Sequence, residues 1–321
     1  MNLQTQIPLF PTDLQMDYTS KVLLLGSCFT ENIGGKLDYF KFQNIQNPFG
    51  VIYNPVSLEK LVLRALNETF FTKEDLFQHN GLWHCFEVHS IHSEIDKELL
   101  LSRLNQQLKS FKEQLFLASH IVITLGSAWV YWYKNTNELV ANCHKISQQE
   151  FQKELLPVEI IAKSLESILS EVQKINPKTT FIFTVSPVRH LKDGFFENTR
   201  SKAHLITGIH KIIEKPLHVQ SRSLHYFPSY EIMMDELRDY RFYAKDMLHP
   251  NEIAIDYMWE KFKFVWIAPT TEKLQKDIDV IQKGLLHRPF HPESEEHLKF
   301  KALLHSKMEE IQKQLPYVTF E

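Results

Sequence analysis

A serine and an aspartate–histidine pair are the strongest candidates for reactive side chains in this sequence. Ser27 directly follows the apolar run 22–25 and precedes a helical pattern. A serine in a tight turn between a strand and a helix exposes its hydroxyl close to backbone N–H donors. Asp246 and His249 stand three residues apart. At that spacing, a carboxylate can accept from Nδ1 of the imidazole and leave Nε2 free to act as a general base.

Each of these signals also has a simpler structural interpretation. Ser27 could merely cap the helix that follows it, and an Asp-x-x-His pair could be a surface contact. Cys28, beside Ser27, is a rival nucleophile because helix N-termini lower thiol pKa values. Only one of two adjacent side chains can face the histidine, so we expect Cys28 to point inward as a small apolar residue.

Short apolar runs alternate with helical patterns along most of the chain, and continuous runs suit strands buried on both faces of a parallel sheet. The predicted strands are residues 22–25, 121–125, 181–185 and 224–227, with a weaker fifth near 51–53. The predicted helices are residues 31–39, 57–66, 96–117, 151–174, 198–213 and 251–264. This alternation predicts an α/β fold, in which ligands bind beyond the carboxyl ends of the strands.

Two further regions depart from this alternation. Residues 77–91 alternate around His79-Asn80-Gly81, which predicts a hairpin within an inserted cap at about 68–95. After Trp266 the strands stop, and residues 270–284 and 295–314 have the pattern of charged helices. We therefore predict one α/β domain over residues 1–268 and a helical C-terminal extension over 269–321, which is a candidate surface for homo-oligomer formation.

Three more polar residues follow predicted strands and so fall on the ligand side of the sheet. Ser127 follows the second predicted strand, while Arg189 and His190 follow the third, and all three are candidate substrate-binding residues. The planar guanidinium of Arg189 suits a carboxylate or phosphate of a substrate. The alternative is an ion pair within the chain, for which the candidate partners are Asp235, Glu236 and Asp239.

Several motifs occur in the order found in one protein family. They are Gly26-Ser27-Cys28-Phe29, Asn47-Pro48-Phe49-Gly50, Asn142-Cys143-His144-Lys145, Ser186-Pro187-Val188-Arg189-His190 and the stretch 230–250. Together they resemble the GSCFA family over residues 21–266, with Thr30 in place of the alanine that ends the name-giving motif. The resemblance implies a flavodoxin-like three-layer α/β/α sandwich of the SGNH hydrolase type. It also implies that Ser27, Asp246 and His249 form a catalytic triad.

The SGNH pattern further implies an oxyanion hole built from the amide of the serine, the amide of a glycine and an asparagine side chain. The amides of Ser27 and Gly50 are expected to fill the first two places. The third is not matched, because Gly126-Ser127-Ala128 has an alanine where the pattern has asparagine. Asn142 is the candidate replacement and Ser127 its rival. A donor missing from such a hole lowers kcat by about 10²–10³.

On this reasoning, the chain is expected to be an SGNH-type serine hydrolase that cleaves an acyl ester. The resemblance implies a small-molecule or carbohydrate ester as substrate, such as an O-acetyl group on a cell-envelope precursor. Two alternatives stay open: an acyltransferase with the same triad, and a non-catalytic binding module on the same fold. None of these requires a metal or an organic cofactor.

Composition narrows the range of partners and sites. The 321 residues include 36 Lys and Arg against 39 Asp and Glu, and a net charge of −3 does not favour nucleic acid. The absence of a signal-peptide pattern or long apolar stretch, together with three separate cysteines, predicts a reduced cytoplasmic protein without a membrane span. The cluster of His84, Cys85, His89 and His92 lacks zinc-site spacing and is expected to be packing. Gly34-Gly35-Lys36 lacks the spacing of a P-loop.

Overall fold

A central parallel sheet organises the chain in the computed structural model, which describes residues 4–215 and 223–320. The strands are β1 (Val22–Gly26), β2 (Asn44–Gln46), β3 (Leu76–His79), β4 (Leu82–Cys85), β5 (His120–Leu125), β6 (Trp129–Tyr133), β7 (Glu138–Val140), β8 (Phe151–Leu155), β9 (Thr180–Val185) and β10 (Leu224–Phe227). Within the described ranges, five of them pair in parallel in the order β10-β9-β5-β1-β2.

This strand order confirms the predicted flavodoxin-like arrangement. Numbered along the chain, the five strands stand in the order 2-1-3-4-5, as in flavodoxin. The order reverses between β1 and β5, where the chain leaves β1 toward one edge of the sheet and later crosses to the other. Ligands bind beyond the carboxyl ends of the strands at such a switch point. Residues that follow β1 and β5 are therefore placed at the expected site.

Helices cover both faces of the sheet. They are α1 (Cys28–Tyr39), α2 (Pro55–Leu66), α3 (Lys97–Leu117), α4 (Val158–Ile175), α5 (Phe195–Ile213), α6 (Ser229–Glu231), α7 (Glu252–Trp266), α8 (Glu272–Leu286) and α9 (Glu295–Gln314). Alternate residues of β1 separate the two faces: Leu23 and Leu25 pack with α2 to α5, whereas Val22 and Leu24 pack with α1 and α7. The chain therefore has a helical layer on each side of the sheet, as predicted for an α/β/α sandwich.

The edge strand beside β1 differs from the sequence prediction. Residues 51–53 form no strand, although the Ile52 amide donates to Gly26 O at 3.1 Å. The edge position belongs to Asn44–Gln46, which pairs with β1 from Val22 onward. An edge strand has one free side and needs no continuous apolar run, so a polar segment with one isoleucine can occupy it.

A second sheet of three antiparallel strands, in the order β7-β6-β8, was not predicted. Its last strand, Phe151–Leu155, takes the first residues of the predicted helix 151–174, which instead begins at Val158 after the N-cap Pro157. Only Phe151 of this strand is buried. The three exposed residues that follow Phe151 place this strand on the surface of the domain.

The region before α3 and the C-terminal helices pack on opposite sides of the sheet. β3 and β4 form an antiparallel hairpin around Asn80 and Gly81, both at positive φ, as two-residue hairpin turns require. Helices α8 and α9 bury Ile278, Ile281 and Ile311 in the same apolar cluster as α1 and α7. Among the described residues, no helix has the length and apolar character needed to cross a lipid bilayer.

Candidate active site

Ser27 stands at the junction of β1 and α1, where the local backbone fixes its position. Gly26 has φ 131°, and a side chain there would collide with Thr124 O on β5, so glycine is required. Ser27 is the N-cap of α1: its Oγ accepts from Phe29 N at 3.3 Å and its carbonyl accepts from Thr30 N at 2.9 Å. With 2% of its surface exposed, Ser27 lies just beneath the surface at the switch point of the sheet.

Asp246 and His249 form a hydrogen-bonded pair on the loop before α7. Asp246 Oδ2 accepts from Nδ1 of His249 at 2.6 Å, and Oδ1 accepts from the amides of Leu248 and His249 at 2.9 and 3.0 Å. Met247 adopts the left-handed region with φ 59°, which folds the loop tightly enough for these contacts. The amide bonds of His249 and Leu248, then the imidazole bond, lower the pKa of Asp246 to about 2. The carboxylate therefore stays ionised and orients the imidazole.

A cavity of about 400 Å³ lies over this end of the sheet. Its wall residues come from four separate segments and include Cys28, Asn142, Arg189, His190 and His249. The structure thus brings together the start of α1, the loop after β7, the loop after β9 and the loop before α7. The three-stranded sheet missed by the sequence analysis closes one side, since residues of β6 and β7 also line the cavity.

Ser27 and His249 are related only indirectly in this structure, because His249 lines the cavity and Ser27 does not. Within the described part of the chain, Nε2 of His249 has no hydrogen-bond partner, and Ser27 Oγ is bonded to the amide of Phe29. The residue next to Ser27, Cys28, reaches the cavity wall, so the expectation that it points inward is wrong. Burial, with a smaller contribution from Glu31, raises the pKa of the Cys28 thiol. The thiol is therefore held in its less nucleophilic, protonated form.

The expected oxyanion amides are both engaged elsewhere. The Ser27 amide donates to Thr124 O at 3.0 Å, which extends the β1–β5 ladder by one residue, and the Gly50 amide donates to Asn47 O at 2.7 Å in a turn. Both amides already have a backbone acceptor in this structure, and their expected role as oxyanion donors stays a prediction. Asn142 is better placed: its Oδ1 accepts from His144 N at 2.8 Å, which leaves Nδ2 to donate in the cavity.

Ser127 and His190, the other predicted substrate-binding residues, have different surroundings. Ser127 is 3% exposed, lies outside the cavity wall, and contacts the hydroxyl of Ser201 at 3.2 Å, so its side chain supports the loop after β5. His190 lies in the wall beside the ring of Tyr53, at 5.8 Å between ring centres. Burial, then the positive charge of Lys202 and the nearby His249, lower the pKa of His190 to about 3. His190 is therefore a neutral wall residue at ordinary pH.

A residue that the sequence analysis missed, Lys202, lies beneath the site. Its Nζ donates to Gly126 O and Ser186 O, each at 2.7 Å, so it joins the ends of β5 and β9. Lys202 is 1% exposed, and burial lowers its pKa to about 7. The sequence feature that could have identified Lys202 is its position on α5, where it falls in the buried stripe with Leu205. A lysine inside an apolar stripe marks a buried cation that needs acceptors.

Two family models match the sequence of this chain. The model described as the GSCFA family matches residues 21–262, which is most of the chain. A second model, described as the C-terminal domain of GSCFA domain proteins, matches residues 278–321 and so covers most of α8 and all of α9. No curated protein matches the sequence. The two matches follow each other along one chain and agree with the resemblance found in its motifs. This chain belongs to the GSCFA family.

Proposed function

We propose that this protein is a serine hydrolase of the SGNH type that cleaves an acyl ester, with Ser27 as nucleophile, His249 as general base and Asp246 as the residue that orients the imidazole. One observation carries the proposal. Asp246 and His249 are bonded at 2.6 Å, and His249 lines the same cavity as Cys28, the residue after Ser27. The cavity lies beyond the carboxyl ends of the sheet, where α/β folds bind ligands.

The chemistry follows from these positions. Ser27 Oγ attacks the acyl carbon while Nε2 of His249 takes the hydroxyl proton, and His249 then returns that proton to the leaving alcohol. Water repeats the sequence on the acyl-serine and releases the acid. Ser27 Oγ accepts from the Phe29 amide, so its own proton is available for donation to Nε2 of His249 when the two side chains come into contact. Such catalytic hydrogen bonds are commonly long in ligand-free enzymes and shorten when substrate binds.

The charge that develops on the acyl oxygen needs hydrogen-bond donors, and the Ser27 and Gly50 amides are engaged with backbone carbonyls in this structure. Asn142 Nδ2 is the side-chain candidate, because the bond from His144 N to Oδ1 fixes the amide group. The first turn of α1 supplies a second candidate. The first N–H groups of a helix have no acceptor within it, and those of Phe29 and Thr30 are bound to Ser27, which leaves that of Cys28.

Active-site labelling tests the proposal. A fluorophosphonate probe should label the wild type on Ser27, as located by mass spectrometry, and should not label Ser27→Ala. Cys28→Ala should still be labelled, and so should Ser127→Ala, a control that removes a buried serine outside the cavity wall. With phenyl acetate as substrate, Ser27→Ala or His249→Ala should each lower kcat at least about 10³-fold, and the double variant should be little worse.

Other outcomes would contradict the proposal in different ways. Label that disappears in Cys28→Ala but not in Ser27→Ala would identify the thiol on the cavity wall as the nucleophile. Complete absence of labelling and of ester cleavage would favour the second candidate, a non-catalytic binding module. The observation that favours this candidate is the engagement of the Ser27 and Gly50 amides with backbone carbonyls. Additive losses in the double variant would contradict a shared role for Ser27 and His249.

A further inference from the structure

Arg189 lines both the candidate cavity and a neighbouring cavity of about 190 Å³ that Tyr240 and Tyr243 also line, and three aromatic rings surround its guanidinium. Its guanidinium carbon is 5.5 Å from the ring centre of Phe195, 5.9 Å from that of Tyr240 and 5.6 Å from that of Tyr243. These distances are typical of cation–π contacts, which hold a guanidinium in place and leave N–H groups for a ligand. The Arg189 amide donates to the carbonyl of the residue before His249 at 3.1 Å, so the two loops are joined.

The charge of Arg189 has no carboxylate partner among the described residues. The three acidic residues suggested by the sequence bind other cations instead: Asp235 binds Arg238, Glu236 binds Lys261, and Asp239 binds Arg241. Arg189 contacts the hydroxyl of Tyr243. A guanidinium has five N–H donors, so most of those on Arg189 have no acceptor within residues 4–215 and 223–320. The predicted alternative, an ion pair within the chain, is therefore excluded for these three partners.

The surrounding wall adds to the positive charge. Lys192 lies on the same cavity wall as Arg189 and has no ion pair within residues 4–215 and 223–320. The acidic residue of this wall, Asp193, is bound to Lys153 from β8. With that carboxylate neutralised, the side of the cavity formed by the loop after β9 has two cations available. A cavity wall with one sign of charge attracts ligands of the opposite sign.

We propose that Arg189 anchors an anionic group, a carboxylate or a phosphate, on the ester that binds in this cavity. The planar fork of a guanidinium matches both anions with two parallel hydrogen bonds. Arg189 and His249 line one cavity, so a small substrate could contact both, with its anion at Arg189 and its acyl carbon near Ser27. This inference rests on the proposed function for the identity of the reacting bond, and it names the substrate class as an ester that carries a negative charge.

Binding measured without turnover tests the anchor. In Ser27→Ala protein, calorimetry would compare phenyl acetate with two anionic probes, 4-carboxyphenyl acetate and 4-phosphonooxyphenyl acetate. We expect at least one anionic probe to bind about tenfold to a hundredfold more tightly than the neutral ester, since a charged hydrogen-bonded pair contributes that much. The tighter of the two anionic probes identifies the carboxylate or the phosphate as the preferred group.

Variants at Arg189 then test whether this residue causes the preference for anionic probes. Adding Arg189→Met should remove the difference between anionic and neutral probes, and Arg189→Lys, which keeps charge but not the fork, should retain part of it. Arg241→Met is the matched control, because it removes an exposed arginine that is already paired with Asp239. Equal binding of all probes, or a preference that persists in Arg189→Met, would overturn the anchor. Because Ser27→Ala protein is used, this result does not depend on whether the wild type hydrolyses the esters.

Discussion

His190 is placed where a positive charge is unfavourable. Its imidazole is largely buried, Nε2 has no partner within the described residues, and both Lys202 and His249 lie near enough to oppose protonation. These effects lower its pKa from 6.5 to about 3. An unfolded chain, by contrast, binds a proton on this histidine near pH 6.5.

The pH dependence of stability follows from that difference. Between pH 6.5 and about 3, the unfolded state holds a proton on His190 that the folded state does not, so stability falls as pH falls. We expect wild type to lose up to about 1.4 kcal/mol per pH unit relative to His190→Asn in this window. Urea unfolding of both proteins between pH 7 and 4 measures the difference. If the difference in unfolding free energy between the two proteins stayed constant with pH, His190 would have the same pKa in the folded and unfolded states.

Individual residues of the site differed in how far the sequence could predict them. The hydrogen bond between Asp246 and His249 was predictable because both lie in one short loop, where spacing alone determines contact. The availability of the Ser27 and Gly50 amides was not, because their acceptors, Thr124 and Asn47, depend on strand pairing and on a local turn. The types of residue in a motif predict chemistry, but tertiary contacts decide which polar atoms remain free for a ligand.

At the level of elements, Lys202 connects α5 to the ends of two central strands. Its two bonds, to Gly126 O on the β5 side and Ser186 O on the β9 side, are those that a neutral amine can donate. The third proton of the ammonium has no acceptor among the described residues. Loss of that proton therefore keeps both contacts and relieves the cost of a buried charge, which agrees with a pKa lowered to about 7.

Alkaline titration of stability tests this arrangement. Between pH 7 and about 10.5, the unfolded chain holds a proton on Lys202 that the folded chain has released, so stability should rise with pH in this window. Relative to Lys202→Met, wild type should gain up to about 1.4 kcal/mol per pH unit. Lys211→Met, an exposed lysine on the same helix, is the control and should follow wild type. Parallel curves for wild type and Lys202→Met would mean that Lys202 is protonated in the fold throughout.

Strands with a continuous apolar run could be predicted from the sequence, and strands that depend on pairing with a neighbour could not. β5 and β9 are buried along their whole length, so the sequence alone predicts them. β2 is a polar edge strand, and β6 buries only Val130, so each owes its conformation to its partner strand. The missed elements matter for function because β6 and β7 form part of the cavity wall.

At the level of the whole molecule, strand order was available only through resemblance. Apolar runs predict how many strands are buried, but the pairing of β1 with β2 and β5 depends on contacts far apart in the sequence. The switch point that results brings the loop before α7 over the start of α1. Two stretches more than 200 residues apart thus meet at one cavity. The local sequence pattern predicts the turn after β1 and the loop before α7 separately, and only the strand order brings the two together.

The C-terminal helices share a core with the sheet domain, although a separate family model matches residues 278–321. Ile278 on α8 is 0% exposed and belongs to the same apolar cluster as Trp259 and Trp266 of α7. A buried isoleucine replaced by alanine costs about 2–5 kcal/mol because it leaves a cavity. If the two regions fold as one unit, that cost is felt by the whole protein.

Ile278→Ala should therefore lower the urea midpoint equally when unfolding is followed by tryptophan fluorescence and by far-UV circular dichroism. Coincident transitions by two probes are the mark of a single cooperative unit. Val280→Ala, at a position 48% exposed on the same helix, should shift the midpoint by less than a fourth as much. An early loss of helical signal that leaves the fluorescence transition unchanged would mean that α8 and α9 unfold independently. Coincident transitions are expected because α8 buries its apolar side in the same cluster as α1, the helix that begins beside Ser27.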